Sequence, residues 1–119
     1  MKKLLSIILA VIISMSCVGC GTNGIDKTVY ESGVKALEVF DSYYFDMEIS
    51  NEEAREKLDV LEKRTSTGDE FDYLKKDYSD RIDISHKIAM MNIYLLGTTE
   101  DKALKERNDL AKILGKSTR

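Results

Sequence analysis

His86 is the one imidazole in the chain, and Asp83-Ile84-Ser85-His86 sets a carboxylate three residues before it. On a helix that spacing puts both side chains on one face, the arrangement of the Glu-x-x-His pairs that hold iron in di-iron bundles. Such a centre needs the motif twice, with further carboxylates, so only a second copy of the chain could complete it. Ser85 and His86 are neighbours, about 100° apart around a helix, which keeps a hydroxyl from meeting its base. Asp72, Lys76, Asp80, Asp83 and Lys87 look like an acidic site until their spacing is read. They fall into i,i+4 pairs of opposite charge, with Asp77/Arg81 a further pair, and so describe a solvated helix face. Two Cys and one His are too few for a zinc cage, and no phosphate loop, EF-hand or zincin spacing occurs. The expectation is a chain with no catalytic residue, no metal and no cofactor, and not an enzyme.

The two thiols suggest other chemistry. Lys2 and Lys3 precede an almost unbroken apolar run from Leu4 to Val18, and the first 19 residues hold no acid. The run is shorter than the roughly 20 residues that span a bilayer, and its basic start, apolar middle and small-residue exit are those of an export signal. It ends in Cys17-Val18-Gly19-Cys20, followed by Gly21-Thr22-Asn23. These residues resemble the lipobox of bacterial lipoprotein precursors, with Cys17 standing where Leu is usual. The resemblance covers only the first twenty or so residues. It implies diacylglyceryl transfer to the Cys20 thiol, acylation such as palmitate, and cleavage in front of Cys20. Cys17 is the competing acceptor, but Ser14 and Met15 fit the pattern less well; a Cys17–Cys20 disulfide is the other alternative. A single acyl chain holds a protein only marginally and two hold it stably, so the lipid would anchor the chain at the extracytoplasmic face of the cell membrane. The segments are then a signal peptide over 1–19, a lipidated Cys and flexible tether over 20–25, and a helical domain over 26–115.

Losing 19 of 119 residues leaves 100, enough for one modest core. The 18 basic residues fall by Lys2 and Lys3 to 16 against 21 acidic ones, and the net charge moves from −3 to −5. An acidic surface repels phosphates, so no nucleic-acid partner is expected. The domain would contain no thiol and hold together by packing alone.

Apolar residues recur at helical spacing throughout this domain, and the chain has no Pro to interrupt it. A first helix is expected over about 26–47, with Val29, Gly33, Ala36, Leu37, Phe40, Tyr44 and Met47 on one face and Gly33 marking a close approach of a neighbour. Ser50-Asn51-Glu52-Glu53 reads as a capping box. It opens a second helix running to about Arg64, with Ala54, Leu58 and Leu61 inward and Glu53/Lys57 and Asp59/Lys63 paired outward. Thr65-Ser66-Thr67-Gly68 reads as a break, and Thr67 with Glu70 as a second capping box. A third helix of about 69–96 follows, with Phe71, Leu74, Tyr78, Ile82, Ser85, Ala89, Asn92 and Leu96 as its stripe. Gly97 is expected to terminate it in the left-handed manner and Thr98 or Thr99 to cap the last helix, about 100–114, which buries Ala103, Leu104, Leu110, Ala111 and Leu114. Short connections make neighbours antiparallel. The fold expected is an all-α, up-down antiparallel bundle of about four helices.

Two apolar surpluses are left over. Tyr43-Tyr44-Phe45 places aromatics on more than one face, and Ile88 to Leu96 is apolar nearly all round, as a central or partner-binding helix would be. Tyr43, Tyr44, Met90, Met91 and Tyr94 are therefore the candidate partner surface, since Tyr and Met are enriched at interfaces. The function expected is a membrane-anchored binding or accessory module for an envelope protein. The alternatives are a small-ligand or metal carrier with its site inside the bundle near His86, and an exclusion or immunity lipoprotein of the envelope.

Overall fold

The computed structural model describes residues 24–66 and 78–119. The first helix begins where Asp26 can accept the backbone N–H groups of Thr28 and Val29 on Oδ2, at 3.1 and 3.4 Å, satisfying donors that a helix start leaves open. This helix, α1, covers Lys27–Tyr44. It ends short of the expected Met47 because the Asp46 N–H bonds back five residues to the Asp41 carbonyl, and Met47 adopts a left-handed φ of 54° with 84% of its surface exposed. Ser50 caps the second helix, α2 (Asn51–Ser66), through its hydroxyl and the Glu53 N–H at 3.1 Å. The expected break at Thr65-Ser66 is absent. Both hydroxyls donate to carbonyls three residues back, Glu62 and Lys63, and so let the helix run on to Ser66. The Glu53/Lys57 and Asp59/Lys63 pairs form at 3.3 and 2.9 Å.

The third helix is α3 (Tyr78–Leu95) and the fourth α4 (Glu100–Ile113). Phe71, Leu74, Asp72, Lys76, Asp77 and the Thr67/Glu70 capping box lie outside the described residues. Gly97 does not carry the expected left-handed cap; that conformation belongs to Gly115, with φ +70°. There the Lys116 N–H reaches the Ala111 carbonyl at 2.7 Å and the Gly115 N–H that of Lys112 at 3.2 Å, the paired bonds of a Schellman motif. The Thr99 hydroxyl does not cap α4 either, but donates backward to the Tyr94 carbonyl at 2.9 Å.

The result is an all-α four-helix bundle, with no strand among the described residues. Consecutive helices pack most closely, and α1 also reaches α3 and α4. Long-range contacts fix the directions. Tyr30, early in α1, donates its hydroxyl to the Leu114 carbonyl just past α4 at 3.1 Å, while Tyr43, late in α1, bonds Glu100 at the start of α4. Asn51, opening α2, donates to the carbonyl of Leu95, closing α3. The core runs through Phe40, Leu58, Ile84, Ile88, Met91 and Leu110, each without exposed surface. Gly33 serves the close approach expected of it: a β-carbon there would lie 3.0 Å from a Leu114 methyl and 3.4 Å from one of Ile84.

Helix α3 departs most from its expected orientation. The buried row is Ile84, Ile88, Met91 and Leu95, whereas Tyr78, Ile82 and Leu96 from the expected stripe are 38%, 48% and 66% exposed. At about 100° per residue the two rows are centred roughly 130° apart. The expected stripe contains Ser85 and Asn92, whose polar groups would need partners in a core. The other row is four uninterrupted large apolar residues, so burying it removes more apolar area at less polar cost.

Candidate binding face and the polar clusters that frame it

The row turned away from the core forms an exposed apolar face. Tyr78, Ile82 and Ile93 on α3, with Leu96 just past its end, fall within about 60° of one another around the helix, and Ile93 is 54% exposed. Ala89, half-buried, lies in the same row. Among the described residues no helix is long and apolar enough to cross a membrane. The apolar face is therefore a strip on an amphipathic helix.

The five residues of the expected partner surface do not form one patch. Met91 has no exposed surface and belongs to the core; its position in the row with Ile84, Ile88 and Leu95 explains why. Met90 and Tyr94 are half-buried, with Tyr94 packed against the core. Tyr44 stacks on Phe40 with centroids 5.2 Å apart and meets Phe45 edge-on at 4.9 Å, so its ring closes the top of the core. Tyr43 is engaged through its hydroxyl, which donates to Glu100 Oε1 at 2.5 Å. Cys17 and Cys20 lie outside the described residues.

His86 and Asp83 are exposed, so the imidazole lines no site inside the bundle. No group of three or more His, Cys, Asp or Glu side chains is placed to hold a metal among the described residues. Lys87 leaves the solvated ladder expected for it. Its ammonium turns to α4, 2.7 Å from Glu106 Oε2 and 3.5 Å from Asp109 Oδ2. Glu106 Oε2 is itself buried and makes no well-angled hydrogen bond, so the ion contact is what compensates it. The bond to Glu106, reinforced by the charge of Asp109, holds the Lys87 pKa above its ordinary 10.5, against a smaller opposing effect of burial. The hydrogen bond to Glu100 likewise raises Tyr43 above 10.0, opposed by Asn51.

Both groups bind their protons more tightly folded than unfolded. Their contribution is fully present below the ordinary values near 10 and is lost as pH rises through the raised ones. Thermal melts taken from pH 8 upward should therefore hold steady at first and decline above about pH 10. Tyr43→Phe should flatten part of that decline, and Lys87→Met another part. An unchanged alkaline slope in both variants would show that these contacts carry none of it.

A groove of about 550 Å³ separates α1 from α2, with Val39, Ile49, Val60 and Leu61 inside and Lys35 and Glu56 among its charged edges. The densest polar cluster is on the opposite side of α1 and was not anticipated from the sequence. Arg107, in the buried row of α4 with Ala103, Leu110 and Ala111, keeps only 5% of its side chain exposed. It forks onto Asp41 of α1, Nε to Oδ1 at 3.0 Å and Nη2 to Oδ2 at 2.8 Å. Its remaining Nη1 donates to the Asn108 Oδ1 at 3.2 Å and to the Ser117 carbonyl at 2.8 Å. The signal available beforehand was a lone guanidinium set i+4 from Ala103 and i−3 from Leu110, inside an apolar row.

No protein-family model, curated protein or solved structure matches the chain at a significant level.

Proposed function

We propose that the chain is a lipoprotein anchored through Cys20 to the extracytoplasmic face of the cell membrane, and that its bundle is a binding or accessory module for an envelope protein. The observation that carries the binding half is the apolar face of Ile82, Ile93 and Leu96, since large aliphatic side chains left in water along one helix mark a surface that gains by being covered. The lipobox-like Cys17-Val18-Gly19-Cys20 after a basic and apolar leader supports the anchoring half. Chemistry by the module itself is not part of this reading, because the polar clusters of the bundle are ion pairs between helices and the lone imidazole stands in solvent.

In cells, Cys20→Ala should stop processing and acylation, so that mass spectrometry finds the unmodified precursor, whereas Cys17→Ala should be processed as the wild type is. Acylated, cleaved Cys20→Ala protein would sink the anchoring half. For the binding half, a photo-crosslinker at Ile93 should trap one envelope protein, and the same crosslinker at Val60, on the α1/α2 groove, should not. Equal yields at both positions would remove α3 as the docking face.

A further inference from the structure

Residues past α4 are held in a way that packing does not explain. Gly115 reverses the chain through its left-handed conformation, and residues 116–119 run back along α1 and α4 with all four exposed. None of them is part of the core. The segment is held by polar contacts to groups fixed from below. The Arg107 Nη1 donates to the Ser117 carbonyl at 2.8 Å. The Asn108 amide grips Arg119 through its main chain in both directions, Nδ2 to the Arg119 oxygen at 3.0 Å and the Arg119 N–H to Oδ1 at 3.0 Å. The Arg119 guanidinium then lies 3.6 Å from Asp41 Oδ2 and 4.1 Å above the centre of the Phe45 ring.

Each of these features belongs to peptide recognition. Two-way bonding of one residue's main chain reads an extended backbone regardless of sequence. A carboxylate beside an aromatic face selects a guanidinium, which can stack and pair at once. The receptor half does not depend on the strap: the fork between Arg107 and Asp41 holds both in place, and Phe45 is packed on Phe40 and Tyr44. The strap's own bonds to Asn108 are exposed, so it can leave without opening the core.

We propose that the cleft framed by Asp41, Phe45, Arg107 and Asn108 is a binding site for an extended, arginine-bearing peptide segment, which residues 116–119 occupy in cis. A partner segment of that chemistry enters by displacing the strap. The inference goes beyond the anchoring reading, and nothing in it depends on Cys20. In the wild type the strap competes at the high local concentration that tethering gives, so the site is largely closed to added peptide.

The test uses the full chain purified in detergent and a fluorescein-labelled Lys-Ser-Thr-Arg peptide blocked at both ends, followed by anisotropy. Gly115→Val penalises the reversal, because a β-branched residue rarely adopts positive φ, and leaves every contact residue in place. Arg119→Ala removes the cis guanidinium from a side chain already 45% exposed. Both variants should bind the peptide at least tenfold more tightly than the wild type. A Lys-Ser-Thr-Ala peptide should bind at least tenfold more weakly than the Arg peptide, and adding Phe45→Leu should weaken the Arg peptide. Circular dichroism establishes that each variant is folded; if Gly115→Val is not, Arg119→Ala decides. Equal binding of the Arg and Ala peptides, or no saturable binding at millimolar peptide to a folded variant, overturns the proposal and leaves the strap a structural tie.

Discussion

Arg107→Ala is expected to destabilise the bundle by about 3–5 kcal/mol, a large part of the roughly 5–15 kcal/mol that holds a domain of this size folded. The cost has little to do with lost side-chain volume. Asp41 keeps 18% of its side chain exposed and receives two charge-assisted bonds from the guanidinium, so truncating Arg107 strands a carboxylate at the joint between α1 and α4. The same substitution frees the Ser117 carbonyl and with it one tie of the strap. Urea unfolding should show the loss as a lower midpoint with an unchanged slope, and heating as a fall in Tm of roughly 15–30 °C. Arg107→Lys should recover only part of it, because an ammonium is a point donor and cannot reproduce the fork. The double variant Asp41→Leu with Arg107→Met should be more stable than Arg107→Ala, since it removes both charges and refills the space. If Arg107→Ala melts within about 0.5 kcal/mol of the wild type, in the range of an ordinary surface change, then Asp41 is adequately solvated without its partner and the joint is not held by this pair.

What could be read beforehand follows from which physical rule was sufficient. The all-α class, the four segments and most of the core on α1, α2 and α4 follow from apolar periodicity, because those helices have one apolar row each and only one way to bury it. The Asp26 and Ser50 starts follow from side-chain capping, which is local. The ends were less legible. Thr65 and Ser66 can break a helix or bond back along it, and their neighbours' carbonyls decide which. Gly97 and Gly115 look alike in sequence, but only Gly115 is followed by a segment that returns along the bundle. Arg107 and Lys87 were missed for one reason: a charged residue on a helix is ordinarily solvated, and only the facing helix reveals Asp41 or Glu106 within reach. The candidate partner surface failed at Met91 because α3 carries two apolar rows, and composition alone does not rank them.

The ranking of those two rows is itself open to measurement. Ile88→Ala should cost about 2–5 kcal/mol, through lost transfer energy and the cavity left where Ile88 has no exposed surface. Ile93→Ala, five residues on and 54% exposed, should stay within about 0.5 kcal/mol. Charged substitutions widen the contrast. Ile88→Asp places an unpaired carboxylate in the core and should abolish cooperative unfolding, while Ile93→Asp should leave the far-ultraviolet spectrum and urea midpoint close to the wild type. Equal costs at the two positions would mean that α3 is rotated about its axis relative to the arrangement described, and the face assigned to a partner would then be core. With the expected asymmetry, Ile93→Asp becomes a folded protein with an altered α3 face. Any interaction it loses can then be assigned to that face, because the bundle beneath it is unchanged.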